Sequence, residues 1–126
     1  MMIAEFRPAM NADILKKRTK QFGLEIIKLV EKLPNTQTSR IIGNRHIRSG
    51  TSMGANYRAA CRSRSKAEFI AKLGTVIEEA DESAYWLELL IETGIVRQDT
   101  LEALMKEADE LIAIMIASVK TAKNRK

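Results

Sequence analysis

A single cysteine, a single histidine, a single tryptophan and two prolines among 126 residues leave few of the residue types that usually announce a chemical site. Cys61 alone excludes an internal disulfide and the thiolate-rich zinc modules, and a lone free thiol is usual in a reducing compartment. His46 alone excludes a di-metal bundle centre, which needs about four inward carboxylates and two histidines in Glu-x-x-His spacing. Aromatic residues reach only 5%, and no runs of Val, Ile and Thr are bounded by Asn-Gly or Asp-Gly turns, so material for a β-sandwich or barrel is missing. The longest apolar stretch, residues 111–119, is too short to cross a bilayer, and residues 1–10 lack the apolar run and cleavage site of a secretory leader. These absences predict a cytoplasmic protein with no membrane segment, no metal site and no cofactor.

What is present is a globular composition, 45% hydrophobic and 29% charged, of a length that fits one domain over residues 1–126. Apolar residues recur at alternating steps of three and four, the period of a helix with one buried face. Leu15, Thr19, Phe22, Ile26, Leu29 and Leu33 predict a first helix over about 13–33, capped by Asp13 and stopped by Pro34. Ile42, His46, Ser49, Met53, Asn56 and Ala60 predict a second over about 38–61, whose small residues, Gly50 and Gly54 among them, allow either close approach to a neighbour, the favoured reading, or a break near Gly50. The sequence Ser65-Lys-Ala-Glu68 is a capping box for a third helix over about 65–94, with a seam of Phe69, Leu73, Val76, Ala80, Ser83, Leu87 and Leu90. Gly94 ends it, and Asp99 with Glu102 opens a fourth helix over about 99–123, carrying Leu101, Ala108, Leu111, Met115 and Val119. Four amphipathic helices on short linkers predict an all-α, antiparallel up-down-up-down four-helix bundle.

Charge is unevenly divided. Residues 38–66 hold Arg40, Arg45, Arg48, Arg58, Arg62, Arg64 and Lys66 and no acid, whereas residues 67–96 hold seven acids and only Lys72. Arg58 and Arg62 share a face at i,i+4, and Arg64 and Lys66 continue it into the linker; with Arg45 these are candidate contacts to nucleic-acid phosphates. The competing reading neutralises them against the acidic third helix, within the subunit or across an interface. At about 100° per residue, Tyr85, Trp86 and Leu89 lie roughly 120–180° from the centre of the third-helix seam, which makes them a candidate self-association face.

Catalytic arrangements find no support in the residues. Glu78, Glu79, Asp81 and Glu82 project away from the seam as a solvated or salt-bridged face. Gly50-Thr-Ser-Met-Gly54 lacks the Gly-Lys-Ser/Thr ending of a phosphate loop and follows no strand, and Cys61 has cationic neighbours but no histidine base. The expectation is a protein that is not an enzyme.

Three segments, Arg48-Ser-Gly-Thr-Ser-Met-Gly-Ala-Asn56, Ser65-Lys-Ala-Glu-Phe-Ile-Ala-Lys72 and Glu79-Ala-Asp-Glu-Ser-Ala-Tyr-Trp-Leu-Glu-Leu-Leu90, resemble the four-helix-bundle family encoded in bacterial 23S rRNA intervening sequences, over roughly residues 14–96. A related branch includes the accessory protein of diversity-generating retroelements, a ring-shaped pentamer with a basic surface that works with a reverse transcriptase and nucleic acid. The resemblance therefore implies a homo-oligomer, in likeness a pentamer, with structured RNA or DNA, a reverse transcriptase or another protein as partners. Arg58 stands where the family often has an acid, which makes this helix more basic, and His46 stands at a position usually aliphatic. Together these readings favour a non-catalytic, self-associating nucleic-acid-binding accessory; the rival is a protein-interaction scaffold whose arginines make intersubunit ion pairs.

One prediction follows from the composition alone. Chelator treatment should change neither the helical circular dichroism nor the thermal midpoint of protein purified without an affinity tag, and stoichiometric metal in that preparation would contradict the reading.

Overall fold

A computed structural model describes residues 11–125, as four helices: α1 (Ala12–Glu31), α2 (Gln37–Cys61), α3 (Lys66–Glu92) and α4 (Gln98–Asn124). Residues 1–10, read above for a leader, and Lys126 lie outside the described residues. Helix starts follow side chains that satisfy otherwise orphaned backbone N–H groups. Asn11, Thr36 and Ser65 accept from the N–H groups of Ile14, Ser39 and Glu68. The first cap is thus Asn11 rather than Asp13, which lies inside the first turn where its charge suits the helix dipole. The expected capping box is half formed: Ser65 caps, but Glu68 Oε2 accepts from the Arg64 N–H, one residue earlier than the motif requires. α3 stops at Glu92, two residues short of Gly94, whose φ of 77° turns the chain so that the Val96 N–H reaches the Leu90 carbonyl at 3.0 Å. α4 begins without a side-chain cap at Arg97, and Asp99 instead accepts from Arg97 Nη2 at 2.9 Å.

Specific contacts fix the helix directions. Gly50 of α2 faces Ile26 of α1, and Gly54 faces Thr19, so α1 and α2 run antiparallel. Arg48 of α2 reaches Glu79 and Glu82 of α3, and Lys66 at the start of α3 donates to the Arg125 carbonyl just beyond α4. Arg18 of α1 closes the ring of helices on Glu107 and Glu110 of α4. The bundle is therefore antiparallel up-down-up-down, with α1 and α4 the least intimate neighbours. Their seam is held by a forked ion pair, Arg18 Nε to Glu107 Oε2 at 2.9 Å and Nη2 to Oε1 at 2.6 Å, a geometry that raises the guanidinium pKa.

The α1–α2 approach is set by small residues. A Cβ on Gly50 would stand 2.9 Å from Ile26 Cγ1, closer than real contacts allow, so only glycine admits the Ile26 side chain at this level. α2 continues unbroken through both glycines. The interior is filled by Leu15, Phe22, Ile26, Met53, Tyr57, Phe69, Leu73, Leu87, Leu90, Leu101, Leu111 and Met115, all buried. On α2 the stripe steps from Met53 to Tyr57 and not to Asn56; Asn56 is half-buried and its amide donates to the Ser52 carbonyl at 2.9 Å.

His46 is fully buried in mid-bundle, and neither ring nitrogen has a hydrogen-bond partner. A neutral imidazole must keep one N–H, so this packing leaves a buried donor unsatisfied, and burial pushes the pKa down to about 4. Between about pH 6.5 and about pH 4 the unfolded chain binds a proton at His46 that the folded chain does not. Stability therefore falls as pH falls through that window, by about 3 kcal/mol in total. Replacing His46 with Met should stabilise the fold by about 1 kcal/mol at neutral pH and by roughly 3 kcal/mol more near pH 4. Paired urea titrations of both proteins at the two pH values check this; equal pH dependence in both would show that His46 is not the titrating group.

Candidate nucleic-acid interface

The antiparallel topology sorts charge along the bundle and not only between helices. The start of α1, the end of α2, the start of α3 and the end of α4 share one half of the molecule. Divided at the helix midpoints, that half carries twelve Lys and Arg side chains against Asp13, Glu68 and Glu78. The other half carries seven Lys and Arg against twelve Asp and Glu among the described residues. One end of the rod is cationic and the other anionic, a division across all four helices that a comparison of α2 with α3 alone does not reveal.

At the cationic half, the α1–α2 groove holds two adjoining clefts. The first, about 250 Å³, is lined by Gly23, Leu24, Ile27, Gly54 and Ala55 together with Lys16, Lys20 and Arg58. The second, about 340 Å³, is lined only by Lys16, Lys17, Lys20, Arg58 and Arg62. None of these five cations makes an ion pair among the described residues. Sequence reading found Arg58 and Arg62 but missed the three lysines. They sit in a visible run, Lys16-Lys-Arg-Thr-Lys20, whose meeting with Arg58 depends on α1–α2 register rather than on proximity in the chain.

The other predicted cations have different surroundings. Arg64 is exposed in the α2–α3 linker at the same end of the bundle. Lys66 is half-buried and engaged with the Arg125 carbonyl, so it serves the α3–α4 junction. Arg45 is exposed but lies in the anionic half, thirteen positions from Arg58 and so roughly 20 Å along the helix axis, outside the cluster. Arg48 is neutralised within the subunit by Glu82 at 3.1 Å and Glu79 at 3.7 Å. Burial pushes the Glu79 carboxyl pKa up against the opposing pull of Arg48, and that pairing explains how a half-buried acid is tolerated.

The three residues of the proposed association face differ in exposure. Tyr85 is 51% exposed, whereas Trp86 and Leu89 are half-buried and pack against the core from its edge. Trp86 stands edge-on to Tyr85, ring centroids 5.2 Å apart, and its indole N–H donates to Glu82 Oε2 at 3.3 Å. Ile41, 54% exposed, and Tyr85 are the two most exposed large hydrophobics of the described chain, and both lie in the anionic half. Ile41 was not among the residues picked from sequence, because the adjacent Ile42 carries the seam and the residues around Ile41 on the helix surface, Gln37, Thr38, Asn44 and Arg45, are polar. Cys61 is half-buried and burial pushes its thiol pKa up, away from nucleophilic reactivity. Among the described residues no three His, Cys, Asp or Glu side chains converge as a metal site, and no helix is long and apolar enough to cross a membrane.

Comparison with known proteins agrees with this architecture. The profile of the 23S rRNA-intervening sequence protein family matches residues 12–117. A crystal structure of a protein of unknown function from the S23 ribosomal protein family of Bacteroides thetaiotaomicron VPI-5482 superposes with a TM-score of 0.82 at 35% identity, covering 88% of this chain and 99% of that one. No curated protein matches the chain.

The distinction between engaged and free arginines is measurable as stability. Arg48→Ala leaves Glu79 and Glu82 without their cation and should cost about 1 kcal/mol. The double variant Arg58→Ala, Arg62→Ala should stay within about 0.5 kcal/mol of the parent, with any change favourable through relief of repulsion among the cleft cations. Thermal melts of the three proteins check this; a large loss in the double variant would mean that these arginines hold the fold.

Proposed function

The chain belongs to the 23S rRNA-intervening sequence protein family, and from that premise we propose that it is a non-catalytic, self-associating accessory protein that binds the backbone of RNA or DNA through the cationic half of its bundle. The observation that carries this reading is the convergence of Lys16, Lys17, Lys20, Arg58 and Arg62 with no acid in the lining of their cleft. Like charges held together oppose folding, and a polyanion that neutralises them relieves that repulsion, so five cations on one groove, unpaired among the described residues, are a ready set of phosphate contacts. The sequence carries no base-reading motif, so recognition rests on backbone and shape. Arg64 extends the charge toward the end of the rod, while Arg45 and Lys66 contribute little.

Self-association uses the opposite half. Tyr85, beside Trp86 and Leu89, offers exposed apolar area among charged residues, with Ile41 exposed in the same half, the composition of an association surface. The likeness to the ring-shaped accessory protein of retroelements makes a closed pentamer the working assembly and a reverse transcriptase a candidate partner. Such a ring would multiply weak phosphate contacts through effective concentration. A cytoplasmic location accords with the free thiol.

Filter binding at two salt concentrations, run beside light scattering on a sizing column, tests both parts. The parent should elute larger than a monomer at micromolar concentration, and Trp86→Ala with Leu89→Ser should shift it toward smaller species that stay helical and bind nucleic acid more weakly. Arg58→Ala with Arg62→Ala should lower the slope of log affinity against log salt by up to about 1.8 per subunit engaged on B-form DNA. If instead no nucleic acid is retained at low salt and the arginine pair dissociates the oligomer, the scaffold reading replaces this one.

A further inference from the structure

The two adjoining clefts differ in chemistry, and the difference goes beyond what a phosphate site requires. Phosphate contact needs only cations within reach, which the all-cationic second cleft supplies. The first cleft shares Lys16, Lys20 and Arg58 with it and is otherwise lined by Leu24, Ile27 and Ala55 beside Gly23 and Gly54, and by Thr19 and Thr51, whose hydroxyls already donate to the Leu15 and Ile47 carbonyls at 2.9 and 2.7 Å. Gly23 is buried and Gly54 half-buried, so they form the floor, while Leu24 and Ala55 are exposed at the sides. At about 250 Å³ the recess is below the range of roughly 300–1,000 Å³ that accepts drug-sized ligands, and suits a single small planar group. The pairing of an apolar recess with a cationic neighbour matches one molecule class, an anion whose charge is joined to a flat apolar body.

Resting on the backbone-binding reading above, we propose that this groove takes unpaired nucleotides: the base enters the recess over Gly23 and Gly54 while its flanking phosphates meet Lys16, Lys17, Lys20, Arg58 and Arg62. Bases stacked in a duplex are withheld from such a recess, whereas single strands, loops and bulges present them. The protein should therefore prefer single-stranded segments over duplex of the same charge, without preference for one base, because the two hydroxyls of the lining, Thr19 and Thr51, are committed to backbone carbonyls.

Gly54 offers a clean probe. A Cβ there would lie 3.5 Å from the Lys20 backbone nitrogen and from Thr19 backbone atoms, ordinary van der Waals contact, so Gly54→Ala folds while placing a methyl group in the floor. Ala55→Leu is the second variant; Ala55 is exposed, and the longer side chain covers the recess from the solvent side without touching any charge.

The test compares a short labelled oligothymidylate with an abasic phosphodiester chain of the same length, by fluorescence anisotropy at several salt concentrations. The parent should favour oligothymidylate by about tenfold, the factor expected from burying about one base face of apolar surface. Gly54→Ala and Ala55→Leu, each confirmed as folded by thermal melts, should lose that preference while keeping parental affinity and salt slope for the abasic chain. Arg58→Ala with Arg62→Ala should weaken both probes in parallel and keep the preference. Equal binding of both probes by the parent, or persistence of the preference in both recess variants, overturns the base-binding role and leaves backbone binding standing. Failure of the parent to bind either probe at low salt overturns both readings.

Discussion

Contact between Gly50 of α2 and Ile26 of α1 is the constraint from which the functional surface follows. A side chain at position 50 would push the helices apart, since even a Cβ meets Ile26 at 2.9 Å. With the helices close and antiparallel, the register is narrow: Gly23 lies against Gly50 and Thr51, and Gly54 lies against Thr19 and Lys20. That register carries the lysine run of α1 to the level of Arg58 and Arg62. It also leaves the groove shallow-walled above the glycines, where larger residues would have filled it. One packing decision therefore determines both the juxtaposition of cations and the recess beside them.

The core tolerates this arrangement at a cost visible elsewhere in α2. A helix that gives five of its nine buried positions to Ser39, Gly43, Ser49, Gly50 and Ala60 relies on Ile42, Met53 and Tyr57 for most of its apolar burial, and His46 adds an unsatisfied ring. Compensation comes from the neighbouring helices, which bring Phe22, Phe69, Leu73, Leu87, Leu111 and Met115 to the interior. The polar fastenings, Arg18 on Glu107 and Glu110 and Arg48 on Glu79 and Glu82, lie at the helix seams, where the groups keep partial access to water, and at Glu79 desolvation outweighs the pull of its cation.

How much of this was legible in the sequence depended on how strongly each residue marks its face. α3 was read almost position by position because its seam is made of large aliphatic and aromatic side chains: Phe69, Leu73, Val76, Leu87 and Leu90 are all buried where the period put them. α2 was misread at one step, Asn56 for Tyr57, because a stripe of small and polar residues gives little hydropathy contrast and a strict three-four alternation drifts against 3.6 residues per turn. Trp86 and Leu89 were placed well outside the seam on angle alone, yet long side chains lean back onto the core edge, so angular distance overstated their exposure. The lysines of α1 were invisible as a site because a run of cations on a surface helix has no meaning until the facing helix is known. The cation cluster is a tertiary feature, and only the α1–α2 register reveals it.

The sorting of charge along the rod also bears on how the molecule can meet a polyanion. α3 and α4 each have 27 residues, so the bundle is roughly 40 Å long, whereas the screening length at physiological ionic strength is about 8 Å. A nucleic acid lying along the bundle would bring its phosphates within a screening length of Glu102, Asp109 or Glu88 on the exposed faces of the anionic half, and would gain little from the cationic one. Approach over the α1–α2 groove engages Lys16, Lys20, Arg58 and Arg62 together, where no carboxylate lines the cleft and the nearby Glu107 and Glu110 are already paired with Arg18. That approach leaves Tyr85 and Ile41 uncovered at the other half, so assembly through that patch and contact with nucleic acid do not compete for surface. Charge by itself opposes bringing two anionic halves together, so any association through that patch would have to draw on its apolar area and not on electrostatic attraction.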